Sequence, residues 1–287
     1  MNPHTRVLLI EDGSVENIAL REELTTADFD LECVGSPSEA LRRVQQRLFD
    51  VLVTSPASSV PQDLEFVRRM RALRPGPRVV LLTNQGTPED VIASLRSHVF
   101  ACFRAPLDVP AVAAMVQRAA EAGDWRDGIS VVSSSPQWLA VRVAARRLTA
   151  ERLIAFVDSL LSGPGNPERE GLALAFREIL MNAMEHGAGF DPEKIVEVAA
   201  IRTARSLQFH FRDPGPGFSF DDLPHAAVSN QPGDPLAHVQ VRVDQGMRPG
   251  GFGILMTRQL VDEILYNESG NEVLLIKHGA NTAPAAG

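Results

Sequence analysis

Glu178, Asn182 and His186 stand four residues apart in a run rich in Leu, Ala, Phe, Ile and Met that begins near Pro167. At helical pitch the three share one face. A helix this apolar is normally buried, and a polar stripe on a buried helix must meet something polar. Neighbouring backbone is one such partner; a ligand is another. The residue types suit phosphate chemistry. A carboxylate can take a proton from an incoming hydroxyl or water. A side-chain amide oxygen can ligate magnesium, which prefers oxygen and fills its remaining positions with water and phosphate oxygens. His186 reads either as a phosphate contact or as a hydrogen bond at the helix end.

Two glycine clusters follow. Asp213-Pro214-Gly215-Pro216-Gly217 ends an alternating, strand-like run over 207–212. A carboxylate there can accept the exocyclic amine of adenine, where guanine offers a carbonyl instead. Gly215 and Gly217 let the backbone approach a planar base. A plain strand-to-loop turn fits the same residues. Further on, Gly250-Gly251-Phe252-Gly253 opens an apolar run read as a helix over 254–265. Amides of a glycine loop at a helix start form an anion site; tight packing is the other reason for glycine there. Residues 218–248, between the clusters, are rich in Pro, Asp, His and Gln and lack periodicity, the composition of a long functional loop.

From 171 to about 278 the chain resembles the Bergerat-fold ATP-binding domain of histidine kinases, gyrases and anti-sigma factor serine kinases, the last group most of all. The carriers are Arg177-Glu-Ile-Leu-Met-Asn182-Ala-Met-Glu-His-Gly187, Asp213-Pro-Gly-Pro-Gly-Phe218 and Gly250-Gly-Phe-Gly-Ile-Leu255, in family order. The resemblance implies ATP and Mg2+ as cofactors. It makes Asn182 the metal ligand and Glu178 the catalytic base. It puts Asp213, Gly215 and Gly217 on the adenine, Gly250, Gly251 and Gly253 on the triphosphate, and His186 in the same site. The 218–248 stretch becomes a lid that closes over nucleotide, with Arg242 and Arg248 reaching phosphates.

The elements expected to position this site are an α/β two-layer sandwich. A hairpin over 129–133 and 138–143 comes first. A helix over 149–161 follows, capped by Thr149 with Glu151 in its first turn. A break at 162–167 precedes the site helix. A last hairpin, 263–266 and 272–277, turns at Ser269-Gly270-Asn271. No histidine lies between 123 and 165, where a sensor histidine kinase would carry its phospho-accepting one.

The first part alternates buried-type strands at 7–10, 31–34, 51–54, 79–83 and 99–103 with helix patterns. Ser36-Pro37-Ser38-Glu39, Thr87-Pro88-Glu89-Asp90 and Asp108-Val-Pro110 are helix starts. Five such units predict a doubly wound, five-stranded parallel sheet with its functional residues at the carboxyl ends of the strands. Over this part the chain resembles a response-regulator receiver. Glu11, Asp12, Thr83 and Pro106 fit that pattern. Ser55 stands where the phospho-accepting Asp belongs, and Arg104 takes the lysine position. Serine is a weak nucleophile without a base and removes one anionic ligand from the cation site. Arg104 keeps the charge as a planar fork. A receiver fold that cannot take phosphate by the usual route is expected to serve interaction, including homodimerisation.

At 287 residues the chain has room for two cores. The expected limits are a receiver-like domain over 1–122, a linker with the first strands over 123–148, the ATPase-like domain over 149–278 and a disordered tail over 279–287. A net charge of -8 without a basic tract argues against a nucleic-acid partner. No apolar run is long enough to span a bilayer, and the first residues do not read as a signal peptide, so a cytoplasmic protein is expected. Cys33 and Cys102 are isolated and are expected to be two buried free thiols in a reducing compartment. Three functions remain open. One is an ATP-dependent serine/threonine kinase acting on an anti-anti-sigma-like protein. Another is a non-catalytic ATP-binding module that sequesters a sigma factor. The third is a histidine kinase-like protein acting in trans.

Overall fold

Short, mostly apolar segments form the first sheet: β1 (Arg6–Ile10), β2 (Asp30–Val34), β3 (Val51–Val53), β4 (Arg78–Thr83) and β5 (Ala101–Arg104). The structure, a computed structural model, describes residues 5–27, 29–73, 76–123, 127–135, 137–161, 167–217 and 253–279. All five strands are parallel, in the order β2-β1-β3-β4-β5. That is the doubly wound order with its switch point between β1 and β3. Helices α1 (Val15–Thr26), α2 (Pro37–Gln46), α3 (Val60–Leu73), α4 (Pro88–Arg96) and α5 (Val109–Glu121) connect and follow the strands.

The start signals act as their chemistry requires. Ser36, Thr87 and Asp108 each accept the backbone N–H three residues on, at 3.2, 3.2 and 3.1 Å. Thr87 and Asp90 form a complete reciprocal box. Glu39 departs from the box, accepting instead from the N–H of Gly35 at 3.3 Å. Cys102 is buried on β5, but Cys33 is exposed, because β2 is an edge strand.

The second sheet is wholly antiparallel: β6 (Ile129–Ser135), β7 (Trp138–Ala144), β8 (Ile195–Arg202), β9 (Ser206–Arg212), β10 (Glu263–Tyr266) and β11 (Glu272–His278), in the order β10-β11-β9-β8-β7-β6. With it come α7 (Pro167–Asn182), α8 (Gly253–Leu260) and the first half of α6 (Arg147–Leu161), whose residues from Ala155 on belong to the other unit. Phe176 of α7 meets Phe209 edge-on at 4.9 Å and Phe211 at 5.1 Å between ring centroids. Such pairs contribute roughly 0.5–1.5 kcal/mol beyond their buried area, and they fix α7 over β9.

Three expectations change here. α7 is amphipathic rather than wholly buried: Leu172, Ala175, Phe176, Ile179 and Leu180 are buried, while Leu174 and Arg177 are exposed. α6 starts at Arg147, so Thr149 is no cap; it is buried against Gly128. The run after Gly253 stays helical only to Leu260, since Asp262 already donates its N–H to Ile276 O and draws the chain into the sheet.

The chain divides into two compact units, Met1–Asp127 with Ala155–Gly163, and Gly128–Ile154 with Pro164–Gly287. Among the described residues no helix is long and apolar enough to cross a membrane.

Asp63, in the first turn of α3, is 1% exposed. Its Oδ2 accepts from Ser58 Oγ at 2.7 Å, while Oδ1 is buried without a partner. Burial pushes this carboxyl up to about 6, against hydrogen bonds from Ser58 and Thr54. The unfolded chain releases the proton near 4, so the folded state binds more protons between the two values. The contribution of Asp63 to stability therefore falls as pH rises from about 4 to about 6, and is level above. Asp63→Asn should remove that fall and stabilise the first unit at pH 7.5 by on the order of 1–3 kcal/mol. Urea unfolding at pH 4.5 and 7.5 checks it; a variant with the wild-type pH dependence would refute it.

Candidate functional site

α7 carries Glu178 and Asn182, one turn apart and both half-buried. The helix does not simply end. Residues Ala183–Gly187 form a π-turn, closed by the N–H of Ala188 donating to Ala183 O at 2.9 Å. Wide turns of this kind mark functional helices more often than chance would give. This one brings Gly187 under the end of β9. A Cβ on Gly187 would lie 2.2 Å from Asp213 Cγ. A Cβ on Gly215 would lie 2.7 Å from Gly187 O. Only glycine fits at either position. The sequence motif ending at Gly187 and the motif starting at Asp213 are therefore one packed unit.

Asp213 has one oxygen engaged. Its Oδ1 accepts the N–H of Gly215 at 2.8 Å, and among the described residues nothing donates to Oδ2. Burial raises the pKa of this carboxyl, and the Gly215 hydrogen bond pulls it back in part. Gly217 has φ +78°, the left-handed region that favours glycine, and its Cα abuts Ser269 O so closely that a Cβ would lie 1.7 Å away. On the other side, α8 opens at Gly253, where a Cβ would lie 2.7 Å from Glu178 Oε2. The Glu178 carboxylate thus faces the start of a helix, the place where backbone N–H groups favour anions. The Asn182 side chain makes no hydrogen bond among the described residues and does not cap the π-turn.

Residues 141–277 match the family described as histidine kinase-like ATPase domain. The second half of the chain is a histidine kinase-like ATPase domain. Joined to the receiver-like first unit, it makes the chain a fusion of the two folds.

Within the ATPase domain, Glu178 meets Gly253 and Gly187 meets Asp213 and Gly215. His186 is exposed and hydrogen-bonds to nothing among the described residues. Gly250, Gly251, Arg242, Arg248 and the expected lid lie outside the described residues, as does the tail beyond Gly279. The sequence places Asn271 in the β10–β11 turn but gives neither it nor Asn267 a part in the site. Asn271 O accepts from Asp213 N at 3.0 Å, and Asn271 Nδ2 donates to the carbonyls of Asp213 and Gly215 at 3.4 Å. Asn-Glu-Ser-Gly-Asn announces a turn, but nothing in it announces a brace for a loop more than fifty residues earlier.

In the receiver-like unit, Asp12 and Ser55 follow β1 and β3, at the switch point. Ser55 Oγ donates to Asp12 Oδ2 at 2.7 Å. The N–H of Ala57 points at both Asp12 Oδ2 and Ser55 Oγ, 3.1 Å from each, and the N–H of Ser14 donates to Asp12 Oδ1 at 2.7 Å. What burial Asp12 has disfavours its charge, but these hydrogen bonds outweigh that and leave its pKa below the ordinary carboxylate value. Glu11 pairs with Arg21 at 3.4 Å. Thr83 is buried, Arg104 is half-buried, and the residue next to the cis Pro106 is Ala105. Among the described residues no group of three His, Cys, Asp or Glu side chains could hold a metal.

Two curated proteins are similar, the transcriptional regulatory proteins GlrR of Escherichia coli (strain K12) and QseF of Escherichia coli O157:H7. Each is 25% identical over 215 residues, covering 69% of this chain and 46% of the relative. The chain thus spans about half the length of these relatives. Solved structures similar to it include a CheY-like receiver domain protein from Methanospirillum hungatei JF-1 (16% identity, TM-score 0.37, 41% of this chain and 94% of that one). Another is the response regulator CheY4 of Vibrio cholerae (22% identity, TM-score 0.35, 40% and 98%).

The Asp12 network has a testable consequence. Ser55→Asp replaces a donor with a third carboxylate beside Glu11 and Asp12, which then repel unless a cation intervenes. Without nucleotide, titration with Mg2+ should raise the unfolding midpoint of Ser55→Asp and leave wild type unchanged; an equal response of the two would contradict this.

Proposed function

We propose that the ATPase domain is an ATP-dependent serine/threonine protein kinase of the anti-sigma factor type, acting on a separate anti-anti-sigma-like protein. The observation that carries the reading is Glu178. Its carboxylate lies against Gly253 at the start of α8 and one turn from the amide of Asn182, which has no partner among the described residues. A base, a metal ligand and an anion-favouring helix start share one place.

The residues present fit a magnesium nucleotide. Magnesium takes few protein ligands and shares its shell with phosphates, and Asn182 offers one neutral oxygen. The ion would neutralise phosphate charge and hold the phosphates for in-line transfer. Asp213 Oδ2 accepts the exocyclic amine of adenine, and Gly215 and Gly217 leave the base a flat approach. Glu178 takes the proton of the substrate hydroxyl as its oxygen bonds to the γ-phosphorus. The bond from that phosphorus to the β–γ bridging oxygen breaks, and ADP leaves. His186 stays at the margin, available to the phosphates or the lid.

A second reading is a binding module that holds ATP, or none, and sequesters a sigma factor. The Ser55–Asp12 hydrogen bond favours it, since the receiver-like half has already closed its own acceptor site. In either reading that half serves interaction, including homodimerisation, and the protein works in the bacterial cytoplasm. The regulatory names of the two curated relatives accord with a transcriptional partner.

Incubation with labelled ATP, Mg2+ and an anti-anti-sigma-like substrate separates the readings. The kinase reading predicts acid-stable label on the substrate, reduced at least about a hundredfold in Glu178→Gln with ATP affinity within about threefold of wild type. ATP binding without transfer, together with a stable sigma-factor complex, supports the module instead. Acid-labile label points to a histidine kinase-like protein acting in trans.

A further inference from the structure

The β10–β11 turn does more than close a hairpin. Asn267 Oδ1 accepts the N–H groups of Asn271 and Glu272, both at 3.1 Å. Asn267 Nδ2 donates to Asn271 Oδ1 at 2.9 Å. That last bond decides which way the Asn271 amide faces. With its oxygen engaged by Asn267, its nitrogen must face the other way, to the carbonyls of Asp213 and Gly215. The backbone adds Asp213 N donating to Asn271 O at 3.0 Å.

The Asp213 loop is thus held from two sides. Gly187 closes one side, where no side chain fits. Asn271 holds the other through three hydrogen bonds, two from its amide. Between them Asp213 has one oxygen spent on Gly215 N and, among the described residues, one left over.

We infer that Asn271, oriented by Asn267, is a positioning residue for base recognition: it fixes the Asp213 loop so that Oδ2 remains free to accept the amine of a 6-aminopurine nucleotide, and so sets the preference for adenine. This rests on the nucleotide reading of the same site. A carboxylate discriminates an amine from a carbonyl only when its lone pairs are held in place. A loose Asp213 would turn to water or to neighbouring N–H groups, and the preference would fade while the rest of the nucleotide's contacts stayed.

The test uses the full chain and two variants of unchanged size. Asn271→Asp removes the donor to the two carbonyls. Asn267→Asp keeps the oxygen that accepts from Asn271 N and Glu272 N but loses the donor that orients the Asn271 amide, which then turns toward the new carboxylate. Glu263→Gln, a partner of His278 on the same hairpin, is the control. Dissociation constants are measured for ATP and for inosine triphosphate, which carries a carbonyl in place of the amine, with unfolding midpoints taken alongside. Wild type should prefer ATP. Both Asn variants should weaken ATP by about tenfold and inosine triphosphate by less than about twofold, and the control should keep the wild-type ratio. Equal weakening of both nucleotides, or no change, overturns the inference, because Asn271 would then only support the fold. Equal wild-type affinity for the two nucleotides also overturns it. Failure of the wild-type chain to bind either one overturns the nucleotide reading itself, and the inference with it.

Discussion

At Gly187 there is no room for one more carbon atom. The Asp213 carboxyl occupies the space a side chain would need, and Gly215 closes over the Gly187 carbonyl from above. This packing ties the end of α7 to the end of β9, and much of the second unit follows from it. The π-turn exists in the stretch that delivers Gly187 there. The aromatic contacts of Phe176 hold α7 at the height over β9 that the packing needs. The β10–β11 turn braces the same loop from its other side. A carboxylate held this closely, half-buried and with one oxygen uncommitted, is costly to keep unless something uses it.

The two units treat their acidic residues in opposite ways. In the receiver-like unit Asp12 is satisfied from every direction, by Ser14, Ser55 and Ala57. Its charge is stabilised by protein donors. In the ATPase domain, among the described residues, Asp213 keeps one oxygen open, Asn182 keeps its amide open, and Glu178 faces a helix start. Polar groups that a fold leaves unpaired next to glycine-lined backbone are what a ligand site requires. At the switch point the Ser55 hydroxyl is engaged with Asp12 and the N–H of Ala57.

Much of the fold could be read from the sequence because its signals are local. The central strands of the first sheet are apolar runs, and the helix starts at Ser36, Thr87 and Asp108 work through contacts three residues apart. The ATPase domain was legible through three motifs, and among the described residues Gly187, Gly215, Gly217 and Gly253 have steric reasons to be glycine. What could not be read depends on contacts distant in sequence. The Ala183–Gly187 segment has the composition of ordinary helix, and only the docking of Gly187 on Asp213 shows why it widens. Thr149 looked like a cap because caps are local, yet its place is set by burial against Gly128. Asp63, in the first turn of α3, is buried with an orphan oxygen, and no local signal announces it. Asn271 braces Asp213 across fifty-eight positions, and no periodicity carries that information.

The central claim is that α7, the Asp213 loop and the start of α8 form one nucleotide site. A crystal structure of the full chain with Mg2+ and a non-hydrolysable ATP analogue tests it most directly. The account predicts the adenine amine on Asp213 Oδ2, the metal on Asn182, and the γ-phosphate between Glu178 and the start of α8. A nucleotide bound elsewhere, or one in this site with Asp213 turned away from the base, would contradict it.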